Sequence, residues 1–191
     1  RLAPHRRGDP AWKTRSQELS LLDSFDPQNV KSLINGEAVG GGATSDILSP
    51  HSGKPIAKLH HGGADEVEKA IAAAKAAQKA WADTPAVQRG QILHSACNLI
   101  EARAEEAGKP LSSAIGETTG SVMCGRFFAG EGQRLFGRTM PSGAPNKSCM
   151  TVRQPCGVAA LIAAANTPAP NFAWKVFPAL ICGNAVVLKP A

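Results

Sequence analysis

Asn166 and Lys189 are the two side chains whose positions in the sequence invite chemistry. Asn166 follows an apolar, strand-like segment and precedes Thr167-Pro168, so its amide can face a crevice instead of a core. A fixed amide donor can hold an oxyanion as it develops, a contact whose removal costs ~3 kcal/mol of barrier in enzymes that use one. The same position also suits a turn-forming or helix-capping asparagine. Lys189 ends a second apolar run. Facing a dinucleotide, it would donate to ribose hydroxyls or a phosphate; otherwise it is a solvated lysine at a strand end.

Other groups carry less. Gly130-Glu131-Gly132 with Gly137 lacks the third glycine of the dinucleotide fingerprint and falls on a predicted helix, so it is given no cofactor role. His60-His61 has no partners at metal-ligand spacing and is expected in a surface loop, while His94 is expected as a core histidine on an apolar helix face. Cys97, Cys124, Cys149, Cys156 and Cys182 are odd in number and form no CxxC pair. That argues against a disulfide framework and against zinc, and points to a reducing, intracellular compartment. None is flanked by the turn, helix start or clustered cations that mark an activated thiolate, so neither a nucleophile nor a metal site is expected.

The elements that would position Asn166 and Lys189 are legible in the last third. Gly157 to Ala163 reads as a short buried strand and Ala185 to Leu188 as a second. Between them Pro170 to Ile181 has helical spacing at Phe172, Val176, Ala179 and Leu180, with Gly183 as its C-terminal stop. Strand, crossover helix and strand in roughly 30 residues is a βαβ unit with parallel strands. Ligands sit at the carboxyl edge of such sheets, and that edge carries Ala165-Asn166-Thr167 and Lys189.

Upstream, residues 1 to 29 carry Pro4, Pro10 and Pro27 and read as an arm with one helical turn around Gln17 to Leu22. Val30 to Val39 is a hairpin about Asn35-Gly36, and Ile47-Leu48 with Ile56 to Leu59 form a second strand-turn-strand. At Asp65 the period changes. Asp65 with Glu68 resembles a capping box, opening a helix with Val67, Ala70, Ile71, Ala74, Ala77 and Trp81 on one face. Thr84-Pro85 is an N-cap with proline at the first helical position, and the second helix runs to Gly108 and Pro110. A third is expected from Leu111 to Leu135. Its five glycines cost up to ~1 kcal/mol each against alanine, so packing must hold it. Cys149 to Arg153 alternates like a strand.

Composition bounds the function. With 43% hydrophobic and 19% charged residues the chain is core-forming, and at roughly 150 residues per domain its 191 residues hold one domain, or one and part of another. Both ends read as cut, since the chain starts at Arg1 and stops just past Lys189-Pro190. Five cations stand against Asp9 alone in the first 15 residues, so most of the +6 net charge belongs to the arm and the rest is nearly neutral. With 5% aromatics and no tyrosine, nucleic-acid binding is not expected. Gln154 to Trp174 is long enough to raise the membrane question, but Asn166, Pro168, Pro170 and Asn171 argue for a buried segment of a soluble fold. A cytoplasmic location is expected, or the mitochondrial matrix if the Arg-rich start is a transit remnant.

Pro155-Cys156-Gly157-Val158, Asn166-Thr167-Pro168, Trp174-Lys175, Pro178-Ala179-Leu180, Gly183-Asn184 and Lys189-Pro190-Ala191 together resemble the N-terminal half of the cofactor domain of the aldehyde dehydrogenase superfamily. Leu33-Ile34-Asn35-Gly36, Ser49-Pro50 with Gly53, the Trp81 helix, Gly108 to Leu111 and Ala129-Gly130-Glu131 extend the resemblance from about Val30 onward.

The resemblance implies an α/β fold, a partial doubly wound parallel sheet with N-terminal helices and a protruding oligomerisation hairpin. It divides the chain into an arm (1–29), the N-terminal part of the cofactor domain (30–136), oligomerisation strands (137–154) and the start of a Rossmann-like βαβ core (155–191). It implies NAD or NADP as cofactor, a small-molecule aldehyde as substrate and a homo-oligomer, dimer or tetramer. Asn166 matches the oxyanion-holding asparagine, Ala163, Ala164, Ala165 and Lys189 match cofactor contacts, and Thr167, Asn171 and Trp174 match the substrate tunnel. Three features depart. Ala164-Ala165 stand where the family often has Pro-Trp, and the link from Ile100 to Gly108 is shortened. The family's nucleophilic cysteine and general-base glutamate are expected beyond Ala191, so this stretch alone is expected to be inactive. The alternative is a truncated, non-catalytic module that serves in oligomerisation or binding.

Overall fold

The computed structural model describes Asp26 and residues 28–49, 52–106 and 112–190. The arm before Asp26 with its helical turn, the Pro50-His51 turn, the Gly108-Pro110 helix stop, Leu111 and Ala191 lie outside these residues. The chain divides into two compact units, one up to Lys69 and one from Ala70.

In the first unit, Asn35 and Gly36 take positive φ of 51° and 82°. This is the geometry of a two-residue hairpin turn, whose twist matches that of its strands. It joins β2 (Ser32–Ile34) to β3 (Glu37–Val39), antiparallel with Ile34 opposite Glu37. β4 (Thr44–Leu48) and β5 (Pro55–His60) form the second expected pair. An element the sequence did not announce, β1 (Asn29–Val30), adds parallel to the other edge of β5, because two residues are too few for any periodicity to register.

Of the two histidines only His60 differs from expectation, since His61 is exposed and lies past the strand end. His60 ends a strand, not a loop, and is joined through Nε2 to Asn29 Oδ1 at 2.7 Å, while His61 Nε2 meets Ser45 Oγ at 2.8 Å. The expected capping box is displaced as well. α1 (Ala64–Asp83) starts one residue earlier, and Glu66 reaches back to the Gly63 N–H at 2.8 Å.

In the second unit, α2 (Ala86–Glu106), α3 (Ser112–Glu131) and α4 (Pro168–Ile181) share one core. Leu93 and Cys97 from α2, Val122 and Ala129 from α3, and Ala173, Phe177 and Ile181 from α4 are all buried in it. Each large side chain taken from water contributes roughly 1.5–3 kcal/mol. No α1 residue is fully buried, so its apolar stripe is a half-covered face. Thr84 does not cap α2 through its side chain, since its hydroxyl donates to the Ala80 carbonyl at 3.0 Å and closes α1. His94 is exposed, having been expected in the core; it neighbours Leu93, and one step around a helix turns a side chain by about 100°. α3 ends four residues earlier than expected, and Gly132 to Arg134 continue as turns bonded to the third residue back. On α4 the buried residues are Pro170, Ala173, Val176, Phe177 and Ile181. Of the expected face only Val176 is among them, because Ala173 and Phe177 define the stripe that meets Gly125 and Cys97.

β6 (Thr139–Pro141) and β7 (Ser148–Met150) pair antiparallel, and all six residues are exposed. β8 (Val158–Ile162) and β9 (Ala185–Lys189) are parallel around the α4 crossover, as the βαβ pattern predicts. They are less buried than two core strands would be, with Ala185 alone fully covered, because among the described residues this sheet has two strands.

Candidate active site

The carboxyl ends of β8 and β9 meet in register, Ile162 opposite Lys189, and the Ala163 N–H donates to the Lys189 carbonyl at 3.0 Å. One more ladder bond therefore fixes where the chain leaves β8 and fans out as Ala163 to Thr167. Ala163 is buried, Ala164, Ala165 and Asn166 are exposed, and Thr167 is half-buried at the N-cap of α4 with proline following it. The Lys189 side chain is exposed at the same rim. Asn166 and Lys189 are thus brought to one edge. Trp174, 59% exposed, lies a turn and a half into α4.

Asn166 does not cap α4, since no side-chain bond is made to the helix N-terminus at Thr167. Its Oδ1 instead accepts from Asn171 Nδ2 at 3.2 Å. The same nitrogen lies 3.0 Å from Thr167 Oγ1 and 3.4 Å from the Ala164 carbonyl. Lys175 adds a second cation to the rim by donating to the Ile162 carbonyl. Sequence reasoning named Lys175 only within a motif. Its signal was present in the spacing, since a long side chain two turns into the crossover helix can reach back over the strand end.

What holds the rim is the far end of α4. A helix leaves its last four carbonyls without intrahelical partners, and here each has one. Gly183, at φ +89°, donates its N–H to Leu180 at 2.9 Å and Asn184 N donates to Ala179 at 3.2 Å, the paired bonds of a Schellman stop. Cys182 N reaches the Pro178 carbonyl, Trp81 Nε1 donates to Leu180 at 2.8 Å, and Arg89 Nε donates to Ile181 at 3.0 Å. Asn184 also accepts from Gly157 N at 3.0 Å, tying the start of β8 to the start of β9. Arg89 was missed in the sequence. Only 7% exposed, it also donates to the Ala82 and Thr84 carbonyls, and burial pushes its guanidinium pKa down from the usual value.

Among the described residues no three His, Cys, Asp or Glu side chains gather to hold a metal, and no helix is long and apolar enough to cross a membrane. Cys97 and Cys124 lie in or against the core, and Cys149, Cys156 and Cys182 are exposed. A groove of about 210 Å³ between α2 and α3, lined by His94, Gln91, Arg126 and Gln133, lies away from the rim. Its cation is already paired, Arg126 to Glu101 and Asn98.

The model of the aldehyde dehydrogenase family matches residues 39–191. The chain is 37% identical over 174 residues to the mitochondrial benzaldehyde dehydrogenase of Antirrhinum majus, covering 84% of this chain and 32% of that one. To the NADP(+) succinate-semialdehyde dehydrogenase of Escherichia coli it is 36% identical over 171 residues, covering 84% and 36%. Among solved structures, an NADP-dependent enzyme of E. coli superposes with TM-score 0.80 at 36% identity, over 84% of this chain and 36% of that one. An NAD-dependent benzaldehyde dehydrogenase from Corynebacterium glutamicum does so with TM-score 0.80 at 34% identity, over 88% and 38%. The chain spans about a third of the length of the curated relatives it matches.

Proposed function

Because the chain belongs to the aldehyde dehydrogenase family and has its α/β fold, we propose that the protein oxidises an aldehyde to a carboxylic acid with NAD or NADP, this chain supplying the oxyanion donor and part of the cofactor site. The observation that carries the reading is the meeting of Asn166 and Lys189 at the carboxyl edge of the β8–β9 pair, where such sheets bind ligands. The rim suits a dinucleotide. Ala164 and Ala165 are exposed and small enough to let a ligand approach the backbone, and Lys189 offers an exposed cation for ribose hydroxyls or a phosphate. When bound, the nicotinamide takes up the hydride.

In this reading Asn166 Nδ2 donates to the aldehyde oxygen as negative charge develops on it. Ala163 to Ala165 and Lys189 bind and orient the cofactor, and Thr167, Asn171 and Trp174 line the aldehyde's approach. No cysteine of this chain is assigned as nucleophile and no glutamate as base; both belong to other parts of the protein. β6 and β7, within 137–154, form the contact of a homo-oligomer, dimer or tetramer. The arm covers 1–29, the N-terminal part of the cofactor domain 30–136 and its Rossmann-like core begins at 155–191. The location that fits is the cytoplasm.

The test is Asn166→Ala in the intact enzyme. It should lower kcat by ~10² to 10³ and leave cofactor affinity unchanged, because the amide acts only once charge has developed. A change confined to cofactor affinity would overturn the role.

A further inference from the structure

The Asn171 amide nitrogen faces three acceptors, Thr167 Oγ1 at 3.0 Å, Asn166 Oδ1 at 3.2 Å and the Ala164 carbonyl at 3.4 Å. An amide nitrogen carries two hydrogens, so the two nearer oxygens take one each and the carbonyl shares. For Asn166 the consequence is directional. With Oδ1 engaged as an acceptor, the amide plane is fixed and Nδ2 is left as the donor, with no partner among the described residues. Asn171 is itself firmly placed, on the first turn of α4, with its own N–H donating to the Thr167 carbonyl at 3.0 Å.

We infer that Asn171 is a positioning residue that holds the Asn166 amide with its N–H donors, not its carbonyl, available to the reacting oxygen. The inference rests on the oxyanion role proposed above for Asn166. Without the Asn171 bond an exposed amide can rotate, and a half-turn presents Oδ1, which repels a developing oxyanion. The bond also polarises the amide, since an oxygen that accepts strengthens the N–H groups conjugated to it. This is a different task from lining a substrate channel, and the two separate kinetically.

Two substitutions in the intact enzyme decide between them. Asn171→Leu keeps similar bulk and removes the donor; kcat should fall about tenfold, the scale of one net hydrogen bond, with KM for the aldehyde and cofactor affinity near wild type. Asn171→Asp places a carboxylate against the amide and draws Nδ2 toward itself, so kcat should fall further than in the leucine variant. In an Asn166→Ala background both substitutions should have no further effect on kcat. An effect confined to KM, or an equal loss of kcat in the absence of the Asn166 amide, would overturn the inference. Should Asn166→Ala itself leave kcat unchanged, the oxyanion reading fails, and a crystal structure of Asn171→Leu then decides the positioning role. An amide spread over several rotamers upholds it, and an amide in the wild-type orientation refutes it.

Discussion

Lys189 ends β9 with an exposed ammonium that has no partner among the described residues. If the rim binds the proposed cofactor, this cation would gain acceptors from it, each charge-assisted bond contributing about 1.5–3 kcal/mol. Lys189→Ala should therefore weaken cofactor binding by roughly tenfold to a hundredfold with kcat little changed at saturating cofactor. Titration of cofactor against the protein measures this, and unchanged affinity would remove Lys189 from the proposed site. Cys97 makes the opposite kind of statement. It is fully buried, and burial pushes its thiol pKa up, with Arg126 opposing and Cys124 and Glu101 reinforcing. Between the unfolded pKa, about 8.5, and the raised native one, the unfolded chain has lost a proton that the native chain keeps. Stability from this group is thus complete below the unfolded pKa and is lost as pH rises through the native one. Urea midpoints should fall from about pH 8 to pH 10, and Cys97→Ala should make that fall shallower. It will not flatten it, because Cys124 is raised by burial too. An identical slope in the variant would assign the decline to other groups.

The α4–β9 corner shows which elements sequence reasoning can read. Gly183 was legible as a helix stop because only a residue free of a Cβ accepts φ +89° cheaply. A Cβ there would find its nearest neighbours at 3.5–3.6 Å, Arg89 and Ala82, so space is adequate and only backbone strain remains. Gly183→Ala should therefore cost about 1–2 kcal/mol, read as a lower thermal midpoint with the core intact. A loss well beyond that would mean the Arg89 clamp had also been displaced. Arg89 itself was illegible. It lies on α2, and the carbonyl it holds at Ile181 is 92 residues away. Local patterning carries no trace of such a bond. The same limit explains the helical faces. Spacing announced α2, α3 and α4, but which stripe of α4 is buried depended on Gly125 of α3, where a Cβ would stand 2.5 Å from Cys97 Sγ and 2.7 Å from the Phe177 ring. At the rim, the position of Asn166 just past a strand end was legible in the sequence, and the oxyanion role remains the proposal made for it. The bond from Asn171 to its Oδ1 could not be read there, because it depends on rotamers within one helical turn.

At the scale of the whole chain, several large apolar side chains are left exposed among the described residues. Phe136, Met140, Met150 and Val152 are all large and exposed, and they follow one another along the β6–β7 hairpin and its flanks. Isolated exposed hydrophobics are ordinary on protein surfaces, but the register sets Met150 on the face opposite Met140, so the contact proposed for this hairpin would cover Met150 and Val152 from one side. β8 and β9 offer a second surface that could associate, since each has one unpaired edge among the described residues, with Ile162 68% exposed beside it. Unpaired strand edges recruit other chains by backbone bonding and without a fixed stoichiometry. The hairpin, by contrast, should give a defined oligomer, since its side chains select a partner surface. Replacing Met150 and Val152 with glutamate puts like charges on both copies of such a contact, and at 66% and 70% exposed the two residues carry little of the packing within the chain. Sedimentation velocity should then show the wild-type protein as a discrete oligomer and the doubly substituted protein as a smaller species, with unchanged circular dichroism. A substituted protein that keeps its size would exclude the hairpin as the contact and leave the strand edges as the surface that associates.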